Sequence, residues 1–98
     1  MKRAVIAGYS RSPFTMARKG ELIDVKPVNM FAEVVKNLVS KTKVNPADIE
    51  DIVVGCAFQV GEQSFNIGKL TTFLSGMEIH TSGMTVDRWC GSSMEAIH

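Results

Sequence analysis

Hydrophobic positions along the chain follow two spacings. Between Met30 and Lys41 they recur at the i, i+3, i+4 and i+7 intervals of a single helical face, at Phe31, Val34, Val35, Leu38 and Val39. Three shorter apolar runs, at residues 3–7, 52–57 and 84–86, are typical of buried strands. The pattern therefore predicts a helix over residues 30–41 between the first two strands.

Capping and helix-breaking residues predict the remaining elements. The Asn-Pro pair at 45–46 has the order that opens a short helical turn. Ser64 or Asn66 is a suitable cap for a helix that runs through Leu74, with Gly76 as its stop. The inward face of this helix is expected to hold Ile67, Leu70 and Leu74. The order is strand, helix, strand, helix, strand, helix start, which indicates an α/β fold with a parallel sheet and right-handed crossovers.

A long polar connection, residues 8–29, separates the first strand from the first helix and contains Pro13, Gly20 and Pro27. Loops of this length are uncommon in a compact domain unless they have a function or pack on another chain. A contact between subunits and a solvent-exposed loop are both compatible with this segment.

Composition narrows the classes of function. The 98 residues are 45% hydrophobic and 21% charged, as in an ordinary globular domain, and a net charge of +1 with scattered basic residues favours no nucleic-acid partner. No apolar run approaches transmembrane length, and the N-terminus lacks a signal-peptide core. Two cysteines and two histidines lie far apart in sequence, so we expect neither a metal site nor a disulfide framework. Cys56 is expected in the core, and a reducing compartment, most simply the cytoplasm, is expected.

The clearest chemistry lies in residues 86–98, which read VDRWCGSSMEAIH. Cys90 follows a strand-like stretch and precedes small residues that can open a helix. The free N–H groups and the dipole at a helix start favour the thiolate, which is the nucleophilic form of cysteine. The same donors can stabilise an oxyanion on a carbonyl group under attack. The spacing is also compatible with a small buried cysteine at a tight strand–helix junction.

This segment resembles the nucleophile motif of the thiolases, with the expected residue types at Arg88, Cys90, Gly91, Ser92, Ser93 and Ala96. The Cys-Gly-Ser-Ser-Met form is most similar to the branch of the family that acts in fatty-acid β-oxidation. Three further segments are similar to thiolase landmarks in order and spacing, residues 5–14, 51–56 and 61–67. Four landmarks across the chain are far more specific than one short motif.

The resemblance implies an acyltransferase that cleaves 3-ketoacyl-CoA with CoA to give acetyl-CoA and a shortened acyl-CoA, or that runs the reverse Claisen condensation. It implies that Cys90 is the catalytic nucleophile and carries the acyl group as a thioester, with its backbone N–H in the oxyanion hole. Coenzyme A is implied as substrate and product rather than as a bound cofactor. A homodimer or homotetramer is implied as the assembly.

By the same resemblance, residues 1–98 form a partial thiolase N-terminal domain with the order βαβαβα, ending early in the helix that begins at Cys90. Thiolases are several times longer and supply a base histidine and a second cysteine from C-terminal motifs, which this sequence lacks. His98 lies about 12 Å of helical rise from Cys90, so we expect it to be a packed histidine on a buried helix and not the base. Cys56 is no substitute for the second cysteine. We therefore expect residues 1–98 to expose apolar surface, to be inactive alone and to need the remainder of a thiolase chain.

Two positions depart from the family pattern. Asp87 stands where thiolases commonly have Asn, and an ionised carboxylate close to the thiol would oppose thiolate formation. Gly68-Lys69 replaces the usual Ala-Arg, which keeps a cation but loses bidentate pairing. The alternatives are a related condensing enzyme of the ketoacyl synthase type and a non-catalytic thiolase-like subunit that binds acyl-CoA or assembles with a partner.

Overall fold

A computed structural model describes all 98 residues. Its elements are α1 (Pro27–Thr42), β1 (Asp51–Gly55), α2 (Ile67–Leu74), β2 (Ser82–Val86) and α3 (Ser92–Ile97), with 3-10 turns at Pro46–Asp48 and Gly61–Gln63. The two strands pair in parallel, with Asp51 opposite Ser82 and Gly55 opposite Val86. Helix α2 is the crossover between them, as parallel pairing requires. The predicted α/β class with a parallel sheet is therefore confirmed.

Helix α1 contains the predicted helix over 30–41 and extends it at both ends. It starts at Pro27, which occupies the first turn, where a missing N–H costs no hydrogen bond. It ends at Thr42, and its C-cap Lys43 has a left-handed φ of 57°, which terminates the helix. The predicted turn after Asn45 is also present, because the Asn45 side chain accepts a hydrogen bond from the Ala47 amide.

Helix α2 has the predicted cap and end but a different buried face. Asn66 caps it by accepting a hydrogen bond from the Lys69 amide. Ile67 is buried as expected, whereas Leu70 and Leu74 are exposed. The expectation for these two leucines was wrong, because the face of α2 that packs against α1 and the two strands carries hydroxyl residues, whose polar groups are satisfied within the helix. These residues are Thr71, Thr72 and Ser75, each donating to a carbonyl one turn earlier.

Two glycines set the distance between α2 and β2. A Cβ atom on Gly68 would lie 2.1 Å from the Met84 carbonyl oxygen, and one on Gly83 would lie 2.6 Å from the Lys69 Cα. Helix and strand therefore touch through their backbones. Asn66 and Thr85 join the same contact, since the Thr85 hydroxyl donates to Asn66 at 2.9 Å. In this chain the close packing of α2 on β2 thus requires glycine at position 68. The sequence comparison with the usual Ala-Arg pair showed only that the residue differs.

The predicted first strand, residues 3–7, does not form. A strand exists only where its backbone pairs, and this segment forms no backbone hydrogen bond to the sheet. Val5 and Ile6 are 80% and 83% exposed. Contact with the fold begins just after it, where Gly8 lies against Thr42 of α1 and the Tyr9 carbonyl oxygen accepts from Lys41 Nζ at 3.3 Å.

Only four hydrophobic residues are buried, namely Ala32, Val54, Cys56 and Ile67. Cys56 therefore lies in the core, as expected, just beyond the end of β1. Many large apolar side chains remain exposed, including Phe14, Phe65, Ile79 and Trp89. The expected exposure of apolar surface is thus present. A domain of this size normally buries a larger share of its hydrophobic side chains.

Candidate active site

The loop between β2 and α3, residues 87–91, carries Cys90. The Cys90 thiol is free and exposed, so it is not the buried cysteine that the spacing also allowed. The helix expected to begin at Cys90 begins two residues later, at Ser92. Gly91 is its N-cap, and Trp89 has a left-handed φ of 48°, which interrupts a right-handed helix.

The carboxylate of Asp87 supports the first half of this loop. Its Oδ1 atom accepts a hydrogen bond from the Trp89 amide at 2.9 Å, which is the geometry of an Asx turn. This bond joins Asp87 to Trp89, the residue with the left-handed φ. Asparagine offers the same acceptor oxygen, so Asp87 preserves this contact while it adds a negative charge.

Ser92 holds the second half of the loop. This residue is only 4% exposed, and its hydroxyl accepts a hydrogen bond from the Arg88 amide at 2.8 Å. The hydroxyl donates to the Trp89 carbonyl oxygen at 2.7 Å, and Asp87 Oδ1 lies 3.5 Å from it. Sequence reasoning missed this structural part of Asp87 and Ser92. An Asp placed two residues before a turn amide was the available signal.

The amide and the thiol of Cys90 are both left unengaged by the loop. The amides of Trp89, Gly91 and Ser92 each donate a hydrogen bond inside it, whereas the Cys90 amide does not. The thiol forms no disulfide. One residue therefore presents a nucleophile and a hydrogen-bond donor side by side, which is the pair of groups that attack on a carbonyl requires.

The helix that follows Cys90 packs against Gly55, the last residue of β1. A Cβ atom at this position would lie 2.3 Å from the Ser93 nitrogen and 2.4 Å from the Ser92 carbonyl carbon. The first turn of α3 thus rests directly on the strand backbone. Because Gly55 has no side chain, α3 and the Cys90 loop before it can lie close to the end of β1.

The charged groups near the loop form a surface cluster. Arg88 donates to Glu95 at 3.0 Å, and His98 Nδ1 lies 4.0 Å from the same carboxylate. The His98 side chain is 70% exposed, so the expectation of a packed histidine was wrong. The helix that carries it packs mainly against β1, and this packing leaves the His98 side chain exposed. The other histidine, His80, contacts the Ala47 carbonyl oxygen at 3.1 Å and is exposed.

An open apolar groove of about 770 Å³ lies between α1, the end of β1 and α3. Its lining includes Phe31, Cys56, Ile67, Ala96 and Ile97. Cys90 does not line this groove. The two cysteines therefore occupy different environments, one buried and one exposed.

No group of three or more His, Cys, Asp or Glu side chains is arranged to hold a metal ion. No helix has both the length and the apolar character needed to cross a bilayer.

Comparison with known proteins gives a consistent assignment. The sequence profile of "Thiolase, N-terminal domain" matches residues 4–98. The chain is 39% identical over 99 residues to the 3-ketoacyl-CoA thiolases of Colwellia psychrerythraea and Shewanella frigidimarina, and 36% identical to that of Vibrio vulnificus. Each alignment covers 100% of this chain and 26% of the relative, so the chain spans about a quarter of the length of these proteins. Since the profile covers almost every residue and includes the loop of Cys90, the chain belongs to the thiolase family and corresponds to part of its N-terminal domain.

Proposed function

We propose that the protein is a thiolase-type acyltransferase that cleaves 3-ketoacyl-CoA with CoA and uses Cys90 as its nucleophile. The observation that carries the proposal is the free, exposed thiol of Cys90 next to its unengaged amide, on a loop whose other amides are paired. The relatives named 3-ketoacyl-CoA thiolase support the choice of substrate. The reverse condensation uses the same groups.

In this proposal the Cys90 thiolate attacks the 3-keto carbon, and the Cys90 amide donates to the oxygen that becomes negative. The bond between carbons 2 and 3 then breaks, and its electron pair leaves with acetyl-CoA, which takes a proton at carbon 2. The remaining acyl group stays on the sulfur as a thioester. The thiolate of CoA attacks this thioester, releases the shortened acyl-CoA and restores Cys90.

Both steps need a base and an acid, and neither histidine of residues 1–98 bonds to the Cys90 thiol. The two histidines contact Ala47 and Glu95 instead. We propose that these residues alone do not turn over, and that the remainder of a thiolase chain supplies the missing groups. The exposed apolar side chains support such a covering partner, with a homodimer or homotetramer as the complete assembly. Two free thiols support a reducing location, most simply the cytoplasm.

The test is a chimera in which residues 1–98 replace the aligned 99 residues of the Colwellia psychrerythraea thiolase. That protein then supplies the rest of the catalytic machinery. We expect CoA-dependent loss of a 3-ketoacyl-CoA and formation of acetyl-CoA. Intact mass after rapid mixing with acetyl-CoA should show one acetyl group on Cys90.

Two cysteine variants give a matched comparison. Cys90→Ser should abolish both turnover and the acetyl adduct, whereas Cys56→Ala should retain the adduct, because Cys56 is a core residue outside the loop. A chimera that elutes as an assembled protein but neither turns over nor acquires the adduct would contradict the proposal. Equal activity of Cys90→Ser and the parent chimera would contradict the assignment of the nucleophile.

A further inference from the structure

We infer that Ser92 is a positioning residue for acyl transfer at Cys90, and that Asp87 assists it from the opposite side of the loop. The inference rests on the proposed function, because it concerns how the nucleophile and its own amide are held toward a carbonyl group. Neither residue carries a role in the chemistry described above.

The Ser92 hydroxyl joins the two sides of the turn that contains Cys90. Its lone pair accepts from the Arg88 amide at 2.8 Å, and its single proton is directed at the Trp89 carbonyl oxygen, 2.7 Å away. Both partners precede Cys90 in the loop, while Ser92 itself follows it in the helix. This side chain therefore joins the chain on both sides of the nucleophile, beside the backbone bonds from the Gly91 amide to the Arg88 carbonyl and from the Ser92 amide to the Trp89 carbonyl.

The turn needs such support because Trp89 has a left-handed backbone, with φ at 48°. A bulky residue in this region is an outlier that persists only where its surroundings hold it. Ser92 binds the carbonyl of this peptide unit, and Asp87 binds the amide of the same residue at 2.9 Å. With Trp89 held at both its amide and its carbonyl, the direction of the next amide, that of Cys90, is determined.

The neighbouring serine provides a contrast within the same sequence. Ser93 is exposed, and its side chain forms no hydrogen bond with the loop, although it is also a serine in the first turn of α3. Ser92 is 4% exposed and bonded at both its donor and an acceptor position. The two hydroxyls therefore separate a general effect of serine from the effect of this contact.

The experiment compares two reagents on the two cysteines of the 98-residue chain by mass spectrometry of peptides. p-Nitrophenyl acetate acetylates a thiolate: the sulfur–carbon bond forms, and nitrophenolate leaves with the electron pair of the broken ester bond. Iodoacetamide alkylates the same thiolate with loss of iodide. Both rates depend on the fraction of thiolate, so their ratio does not. Only acetylation develops charge on a carbonyl oxygen, which the Cys90 amide can stabilise.

We expect Ser92→Ala to lower the ratio of acetylation to alkylation at Cys90 by about tenfold, as loss of one aligned oxyanion donor lowers acyl transfer by at least this factor. Ser93→Ala should leave the ratio within about twofold of the parent. Asp87→Ala should lower it by a smaller factor, and Asp87→Asn should preserve it, since the amide oxygen replaces the carboxylate oxygen. Alkylation of Cys56, which is buried, reports whether each variant stays folded.

An unchanged ratio in Ser92→Ala, or an equal fall in Ser93→Ala, would overturn the inference. If Ser92→Ala also exposes Cys56, the test depends on Asp87→Ala. A ratio of acetylation to alkylation at Cys90 that is the same in Asp87→Ala as in the parent then overturns the inference. If Cys56 and Cys90 of the parent are alkylated at the same rate, the chain does not keep the fold that holds the loop, and the inference is overturned too. p-Nitrophenyl acetate contains no CoA, so this result is independent of whether the chimera cleaves 3-ketoacyl-CoA.

Discussion

Replacing Gly55 by alanine is the substitution that the structure predicts most sharply. The added Cβ atom would lie 2.3 Å from the Ser93 nitrogen, 2.4 Å from the Ser92 carbonyl carbon and 2.5 Å from the Ser93 Cα. All three are backbone atoms of the first turn of α3, so no side chain can rotate away. Ordinary contact begins near 3.4 Å, and α3 must therefore retreat from β1 by about 1 Å.

The expected cost follows from the effects of overpacking. Forcing an extra methyl group into a filled space costs about 1–3 kcal/mol, and a clash with rigid backbone belongs at the upper end of that range. A loss of about 3 kcal/mol raises the population of the open state roughly a hundredfold, at about 1.4 kcal/mol for each factor of ten. Gly55→Ala should therefore either unfold the chain or make its local opening far more frequent.

Cys56 is the reporter for this opening, because it follows Gly55 directly and is only 8% exposed. Its alkylation by iodoacetamide, measured by peptide mass spectrometry, should accelerate by up to about a hundredfold when opening is in rapid equilibrium. The urea midpoint measured by far-UV circular dichroism should fall in parallel. Cys90 is already exposed, so its alkylation should change much less.

Gly91→Ala is the matched control for this prediction. A Cβ atom there would lie 3.4 Å from the Arg88 carbonyl oxygen, which is ordinary contact, and the Gly91 φ of −96° suits any residue. The control should behave as the parent does. If Gly55→Ala matched both the parent and Gly91→Ala in urea midpoint and in Cys56 alkylation, direct seating of α3 on the strand backbone would be refuted.

Three further substitutions test contacts elsewhere in the structure. Gly68→Ala should lower the free energy of unfolding by about 1–3 kcal/mol, since its Cβ would lie 2.1 Å from the Met84 carbonyl oxygen; an unchanged urea midpoint would contradict the backbone contact between α2 and β2. Asn66→Ala removes the cap of α2 and the bond from Thr85 at a position with a left-handed φ of 55°, so it should cost at least about 1–2 kcal/mol by the same assay, and a loss below about 0.3 kcal/mol would show that these contacts are dispensable. Glu95→Gln breaks an exposed ion pair with Arg88, so the free energy of unfolding should change by less than about 1 kcal/mol, and a larger loss would mean that this pair is shielded from water.

Local rules in the sequence were sufficient where the interaction is itself local. The spacing of Val34, Val35 and Leu38 predicted helix α1, and Pro27 and Lys43 only adjusted its ends. Asn45 was recognised as a cap, and Asn66 as one of two candidates beside Ser64, because a cap is a contact between residues two or three positions apart. The alternation of strands and helices along the chain predicted a parallel sheet, because the rules for connecting strands depend only on chain order.

Tertiary structure decided the features that depend on which groups meet across the chain. The run at residues 3–7 has the composition of a strand, but a strand forms only with a partner, and the sheet contains β1 and β2 alone. The burial of Thr71 in place of Leu70 depended on what lies against α2, which no periodicity records. Likewise, Gly55 lies inside the predicted strand over residues 52–57, and only the structure shows that α3 rests on it.

The candidate site shows the same division between local and tertiary information. The residue types around Cys90 named the chemistry, because a cysteine followed by small residues is a short-range pattern that resembles the thiolase motif. The sequence alone did not reveal that Ser92 would be buried and bonded to Arg88 and Trp89. The left-handed turn is held by local bonds from Asp87 and Ser92, whereas the burial of Ser92 requires α3 to pack against β1, an element far away in sequence.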